Sequence, residues 1–253
     1  MKIKRVIYTL ITCAVITFTT SANAVLLLSG DGNITTQLGA VAGNDTFFSN
    51  VLQGGSTVTI HDGYQGGGTQ LFTENVNNFY TGIAGVSSSI ISSALTITDA
   101  LLAGSDLFVS ILPENAYTAS EISAMSSFLS GGGSVFFIGE NSYFDTNNAF
   151  INDALLGLGS SMSLLEGTVF DSGFHTATGD KIATDPLTAG VTEFSYAAPS
   201  EVVVSGGTGL FFGTGDAAPA FIAYEGTTQV PEPATLLLLG LGIMGLGLGR
   251  KKS

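Results

Sequence analysis

The chain is poor in the residues that most often carry reactive chemistry outside the cell. It has no tryptophan and one cysteine, Cys13, which lies in an N-terminal stretch that we expect to be removed. The mature protein would then contain no disulfide, no thiolate metal site and no cysteine nucleophile. Only two histidines, His61 and His175, are available as general bases or metal ligands.

Basic residues are almost absent between the two ends of the chain. Of 20 acidic and seven basic residues, Glu232 is the only acid outside positions 25–229, and Lys181 is the only base inside them. This body therefore has a formal net charge of −18, which excludes nucleic-acid binding through a basic patch and disfavours anionic lipid headgroups. Divalent cations, basic surfaces and neutral glycans remain as partners, and solubility outside the cell is the simplest explanation of the charge.

The N-terminus has the three parts of a secretory signal peptide. A basic start is followed by an apolar stretch over residues 6–18 and by a small-x-small exit, Ala22-Asn23-Ala24. This order predicts cleavage by signal peptidase after Ala24, with residues 1–24 as the signal peptide. An uncleaved anchor is the alternative. The basic residues are Lys2, Lys4 and Arg5.

The C-terminus has a second ordered arrangement, over residues 230–253. Pro231, Glu232 and Pro233 precede an uncharged apolar run from 234 to 249, and a basic end follows. At about 1.5 Å per residue, a helix over this run is about 24 Å long, slightly short of a ~30 Å hydrocarbon core. The pattern predicts a membrane-spanning helix, with a buried core helix as the alternative. Its basic end would stay on the cytoplasmic side, and it consists of Arg250, Lys251 and Lys252.

These elements in this order resemble the PEP-CTERM sorting signal. The resemblance implies export across the inner membrane, transient anchoring by the C-terminal helix, and recognition of Pro231-Glu232-Pro233 by an exosortase, a membrane-embedded transpeptidase-like protease. It also implies a Gram-negative, exopolysaccharide-producing bacterium and a product at the cell surface or in the extracellular matrix. Exopolysaccharide and matrix proteins are the partners that this location suggests. The signal describes a route and says nothing of the body's activity.

The body (residues 25–229) alternates apolar strands with amphipathic stretches. The continuous apolar run at 25–29 is typical of a strand buried on both faces, and the stretches at 107–112 and 134–138 predict two further strands. We expect a helix over 36–52, a loop or flap over 62–86 and a helix over 90–102. A capping box at Thr118 and Glu121 predicts a further helix that Gly131 ends.

This alternation predicts an α/β fold with an open, doubly wound, mostly parallel sheet. Antiparallel additions are expected toward the C-terminus, where strand and turn patterns dominate. The strand–capped helix–strand unit at 107–138, with short phrases at 185–191 and 220–224, resembles the class I glutamine amidotransferase-like group of flavodoxin-like folds. In enzymes of that group a cysteine follows a strand like 134–138. Here the turn is Gly139-Glu140-Asn141-Ser142, so the nucleophile and its chemistry do not carry over.

Polar residues follow two of the predicted parallel strands. If both strands run in the same direction, these polar residues would lie close together at one rim of the sheet. Their oxygen atoms are hard ligands, which suit Ca²⁺. No EF-hand loop is present, and turn formation alone would also explain these residue types. The candidate ligand or metal rim consists of Asp31, Asn33, Glu140, Asn141, Ser142 and Asp145.

Three functions are compatible with this sequence. The first is a non-enzymatic binding or structural component of the envelope or exopolysaccharide matrix. The second is an extracellular hydrolase of carbohydrates or esters, with Ser142, His175 and an acid in the site, although no G-x-S-x-G elbow occurs. The third is a calcium-dependent adhesin module.

Overall fold

The structure is a computed structural model that describes residues 24–64, 66 and 68–226. The predicted sorting segment at 230–253 and all of the signal peptide except Ala24 lie outside these residues. Within the described ranges, no helix is both long enough and apolar enough to cross a membrane.

A seven-stranded sheet forms the centre of the molecule, in the order β10-β11-β1-β5-β4-β2-β3. Strands β1 to β5 pair in parallel, whereas β11 is antiparallel to both β1 and β10. The mixed α/β class with a mostly parallel sheet and antiparallel C-terminal strands is therefore confirmed. The strands are β1 (Val25–Ser29), β2 (Thr57–His61), β3 (Ser87–Ile91), β4 (Leu107–Ile111), β5 (Ser134–Ile138), β10 (Thr208–Phe212) and β11 (Ala220–Gly226).

The parallel part of the sheet differs from the flavodoxin-like order 2-1-3-4-5. It reads β3-β2-β4-β5-β1, so the first strand of this chain occupies the position that the last strand has in that order. The flavodoxin-like body is thus not confirmed in its strand order. The displacement matters for the site because it makes β1 and β5 neighbours.

Helices cover both faces of the sheet. Alternate residues of β1 enter two separate cores: Val25 and Leu27 face one, and Leu26 and Leu28 the other. Helices α1 and α2 pack on the first core, and α3, α4 and α5 on the second. The helices are α1 (Ala42–Val51), α2 (Gln70–Gly82), α3 (Asp99–Leu102), α4 (Ala119–Ser130) and α5 (Asp145–Gly157).

Aromatic rings fill the centre of the first core. Phe47 of α1 makes edge-to-face contacts with Phe136, Phe194 and Phe211, with ring centroids 6.2, 5.5 and 5.0 Å away. This geometry places the positive edge of one ring against the negative face of another. The cluster joins α1 to strands from both halves of the chain.

Of two local predictions, one is confirmed and one is wrong. The Thr118–Glu121 capping box is present at the start of α4, as predicted. The loop predicted over 62–86 was wrong, because Phe72, Val76 and Tyr80 recur every four residues and bury one face of α2.

Two helix predictions also need correction. The helix predicted over 36–52 begins only at Ala42, and Gly39 adopts a left-handed conformation with φ of 79° before it. The helix predicted over 90–102 was wrong, because Ser87–Ile91 forms the edge strand β3 and only Asp99–Leu102 is helical.

The chain between residues 163 and 203, here called the covering segment, lies across the carboxyl end of β1 and β5. It contains two small antiparallel pairs and two 3-10 turns, at Gly179–Lys181 and Pro186–Thr188. Its backbone bonds directly to the loop after β1, since the Ser200 amide donates to the carbonyl of Gly30. The strands are β6 (Ser163–Leu164), β7 (Phe174–Thr178), β8 (Glu193–Ala197) and β9 (Val202–Val203).

Truncation of Phe47 should be among the most damaging changes to the first core. Phe47→Ala leaves a cavity between α1 and three other rings, and we expect a loss of about 3–5 kcal/mol in the free energy of unfolding. Leu156→Ala on α5, where the side chain is 76% exposed, is the matched control and should change this free energy by less than about 0.5 kcal/mol. Urea unfolding of both variants measures the difference, and equal losses would contradict the assigned core.

Candidate functional site

The predicted rim lies at a topological switch point of the sheet. The connection after β1 leads to α1 on one face, and the connection after the adjacent β5 leads to α5 on the other. Such a point opens a crevice outside the carboxyl ends of the strands, where open α/β sheets bind ligands. The structure brings four of the predicted residues together here: Asp31, Asn33, Glu140 and Asn141.

Asp31 links the loop after β1 to the covering segment. Its Oδ1 accepts the backbone N–H of Asn33 at 2.8 Å, and its Oδ2 accepts the backbone N–H of Ala197 at 2.7 Å. The side chain is fully buried. This carboxyl therefore acts as a bridge between β1 and the end of β8.

Glu140 makes the corresponding link from β5. Its Oε2 accepts the Gly32 amide at 3.0 Å and the side-chain amide of Asn33 at 2.9 Å. Its Oε1 accepts both the backbone and the side-chain N–H groups of Asn141, at 3.0 and 2.7 Å. All four oxygens of the two acids thus accept hydrogen bonds from N–H donors.

Two further polar residues fix the backbone of Glu140. Asn148 of α5 accepts the Glu140 amide at 3.2 Å and donates to its carbonyl at 2.6 Å. Ser200 of the covering segment donates to the same carbonyl at 3.0 Å. Glu140 is consequently held by three different parts of the fold.

Burial changes the acidity of both carboxyls. Desolvation raises the pKa of Asp31 to about 7, although the N–H groups of Ala197 and Asn33 oppose the shift. Desolvation and, next, the charge of Asp31 raise the pKa of Glu140 well above its usual value. Two buried carboxyls with mutual repulsion favour a protonated state. Burial and mutual repulsion therefore both oppose the simultaneous ionisation of Asp31 and Glu140.

Among the described residues, the covering segment closes the space above the pair. A Cβ added to Gly30 would lie 2.2 Å from the carbonyl oxygen of Ser200, and one added to Gly139 would lie 2.4 Å from Leu164. Backbone and side chains meet too closely there for any larger residue. Asp31 and Glu140 are accordingly 0% and 1% exposed.

The other predicted residues lie apart from the pair. The carboxylate of Asp145, in the first turn of α5, accepts a hydrogen bond from the backbone N–H of Gly167 at 3.1–3.2 Å. The backbone N–H of Ser142 donates to the carbonyl of Thr168 at 3.2 Å. His175 lies on β7, where its ring stacks on Tyr196 and its Nε2 is 3.2 Å from the carbonyl oxygen of Ser172. Among the described residues, no hydrogen bond joins Ser142 to His175.

The donor set at the rim does not fit a calcium ion. Calcium needs six to eight oxygen ligands with free lone pairs directed at the ion. Here N–H groups point at every oxygen of Asp31 and Glu140, and their positive ends repel a cation. In the part of the chain that the structure describes, no group of three or more His, Cys, Asp or Glu side chains is placed to hold a metal ion.

Sequence reasoning missed the residues that close the rim. Ala197, Ser200 and Asn148 come from regions whose approach to β1 and β5 depends on tertiary structure. No local pattern marks any of the three as a rim residue, and Asn148 reaches Glu140 only because α5 packs beside the turn after β5. The sequence placed Gly30 and Gly139 at the ends of predicted strands. It did not predict that Ser200 and Leu164 would pack closely against them.

Comparison with known protein families matches one part of the chain. Residues 229–252 match the PEP-CTERM protein-sorting motif. This motif implies an exosortase-sorted extracellular protein, which is exported, transiently anchored in the membrane before cleavage and then found at the cell surface or outside. The match covers the predicted sorting signal and leaves the body unassigned.

The chain has a partial similarity to a solved structure. No curated protein was found that matches the chain. Among solved structures, an mmIFT52 N-terminal domain is similar at a TM-score of 0.40 and 19% identity. The alignment covers 49% of this chain and 64% of that chain, less than two thirds of its length. A similarity of this size supports no functional argument.

The buried pair predicts stability that falls as the pH rises. Between pH about 4 and about 7 the folded state keeps a proton that Asp31, with an unfolded pKa of 3.8, has lost in the unfolded chain. The free energy of unfolding should therefore fall by on the order of 1 kcal/mol per pH unit in this window. Urea unfolding at several pH values measures the slope.

A pair of variants separates this effect from general repulsion among the acids. Glu140→Gln removes the second buried carboxyl, whose pKa is also raised, and should reduce the slope by the share of that carboxyl, although it lowers stability at acidic pH because an amide nitrogen meets N–H donors. Glu166→Gln removes an exposed charge and should leave the slope unchanged. Equal slopes in all three proteins would contradict the assignment of the pH dependence to the pair.

Proposed function

We propose that the chain is a non-enzymatic binding or structural component of the cell envelope or exopolysaccharide matrix. One observation carries this proposal: the switch point at which related architectures hold ligands is filled by the covering segment, and its two acids bond to the protein's own backbone. Asp31 and Glu140 therefore stabilise the fold and are not free to bind a ligand. A binding or structural role requires no catalytic group there.

The sorting motif supports the location in this proposal. An exosortase substrate is delivered to the surface or beyond it. We propose an exopolysaccharide matrix and its proteins as its partners there. The charge of the body agrees with this location, because a formal net charge of −18 keeps a protein soluble and separate from other acidic surfaces. Signal peptidase and exosortase would be partners only during processing.

The geometry gives no support to the alternative of a hydrolase. A serine nucleophile needs a histidine within hydrogen-bond distance and an acid behind that histidine. Ser142 lies in the 3-10 turn after β5, whereas His175 packs on Tyr196 of the covering segment. Glu140, the acid nearest to Ser142 in sequence, is already bonded through both oxygens.

An activity screen separates the scaffold from the hydrolase. We expect the protein to release no product from p-nitrophenyl esters or from neutral polysaccharides beyond the level of the Ser142→Ala variant. Ser142 is the suitable position because its side chain is not part of the buried pair, so the variant should fold normally. Turnover that Ser142→Ala or His175→Ala abolishes would establish a hydrolase and overturn the proposal.

Calcium provides a separate test of the adhesin alternative. A specific site saturated at 100 times its dissociation constant adds about 2.7 kcal/mol to the free energy of unfolding. Because N–H donors face the acids at the rim, we expect the same melting temperature in millimolar calcium, in magnesium and in chelator. A rise of several degrees with calcium alone, lost in Asp145→Asn, would show that the acidic rim binds the ion after all.

A further inference from the structure

A second switch point of the sheet lies between β2 and β4 and is open. The connection after β2 leads to α2 on the first core, and the connection after β4 leads to α4 on the second. A cleft of about 550 Å³ lies at this end of the sheet, between the loops that follow β2, β4 and β5. We call it the aromatic cleft; four aromatic residues line it, namely Tyr64, Tyr143, Phe144 and Phe150.

The walls of the aromatic cleft are held in place by backbone contacts. The Tyr64 amide donates to the carbonyl of Leu112 at 2.8 Å, and the side-chain amide of Asn147 donates to that of Pro113 at 2.9 Å. Gly63 permits the close approach of the two loops, since a Cβ there would lie 1.9 Å from the carbonyl oxygen of Ile111. The cleft is therefore preformed.

Two of its four aromatic rings, those of Tyr64 and Tyr143, are exposed, whereas Phe144 and Phe150 are half-buried. Tyr143 is 91% exposed, at the first 3-10 turn after β5, and Tyr64 is 41% exposed. Tyr64 is steadied by an edge-to-face contact with Phe144, with ring centroids 5.9 Å apart. Aromatic surface that is exposed to water is unfavourable, and the free energy falls when another surface stacks on it.

The remaining lining is polar and contains no base. It consists of Glu114, Asn115, Thr146 and Asn147. Amide and hydroxyl groups both donate and accept hydrogen bonds, and a carboxylate accepts them, which is the complement of a molecule rich in hydroxyl groups. Lys181, the one basic residue among those described, instead donates to the carbonyl of Gly215.

We propose that the aromatic cleft binds an uncharged saccharide chain. The weakly positive C–H faces of a sugar ring stack on the negative face of Tyr143 or Tyr64, and the amide, hydroxyl and carboxylate groups bond its hydroxyls. The inference rests on the proposed function, because it names the chemical class of the matrix partner. It does not depend on the buried pair.

Charge decides between this ligand and its rivals. An anionic polysaccharide or a nucleotide would meet Glu114 and a body with 19 acids, with no base in the cleft to neutralise it. A protein partner would find four aromatic residues but few apolar neighbours to complete a dry interface. An uncharged sugar satisfies both the rings and the polar groups.

Binding to defined oligosaccharides tests the proposal. The full chain, purified in a zwitterionic detergent without a sugar headgroup, is titrated by calorimetry with cellohexaose, maltohexaose, xylohexaose and mannohexaose, and with an oligogalacturonate as the anionic probe. We expect at least one neutral hexasaccharide to bind and the oligogalacturonate not to bind. Absence of binding to all four neutral probes, or binding of the anionic probe alone, would overturn the proposal.

Variants show whether binding occurs in the aromatic cleft. Tyr143→Ala should raise the dissociation constant about tenfold or more, whereas Tyr143→Phe, which keeps the ring, should change it little. Phe174→Ala is the matched control, because this aromatic side chain is 61% exposed on β7 outside the cleft. Binding that survives Tyr143→Ala and Tyr64→Ala would place the sugar elsewhere and refute the cleft.

The outcome also separates this inference from the proposed function. Failure of the cleft would leave an unliganded, non-enzymatic surface protein, whose test is the activity screen. Hydrolysis of a bound hexasaccharide would overturn the non-enzymatic function but leave the saccharide cleft standing. Light scattering of wild type and Tyr143→Ala detects the remaining case, self-association through the exposed ring, which would refute the cleft as a sugar site.

Discussion

The buried pair of Asp31 and Glu140 is the interaction on which the rest of the structure depends. Each acid lies two residues beyond the carboxyl end of a parallel strand, Asp31 after β1 and Glu140 after β5. Each accepts hydrogen bonds from backbone N–H groups, including one from a different part of the chain. Together they join β1, β5 and the covering segment. A buried carboxyl without such donors would cost several kcal/mol, so these donors and these acids require each other.

This constraint divides the carboxyl edge of the sheet into two unlike halves. At the switch point between β1 and β5, the protein's own backbone occupies the place of a ligand, and the acids have raised pKa values because water is excluded. At the switch point between β2 and β4, the loops after the two strands are joined by a backbone hydrogen bond, and beside them a cleft lined by aromatic rings stays open. A single sheet thus provides a sealed structural centre and an open surface suited to binding.

The fold class and four residues of the rim could be predicted from the sequence. Continuous apolar runs identified the buried strands, and the common direction of β1 and β5 brought Asp31, Asn33, Glu140 and Asn141 together. Sequence reasoning failed where a local pattern was ambiguous. Serine-rich β3 lies at an edge where few side chains need to be apolar, and α2 is polar on its solvent face.

The closure of the rim was beyond sequence reasoning because it depends on contacts across more than 160 residues, such as that between Asp31 and Ala197. The same limit hid the aromatic cleft, whose rings come from positions after two different strands. The sorting signal, by contrast, was predictable because its recognition depends on local order along the chain.

Hydrogen exchange at the amides of Gly32 and Ala197 tests the central claim most directly. These two N–H groups donate to Glu140 and Asp31 respectively. If the pair is part of the fold, both amides should exchange only through global unfolding, with the same free energy as the central strands. Exchange through a local opening of much lower free energy would contradict the account, because the covering segment would then be a lid over an accessible acidic site.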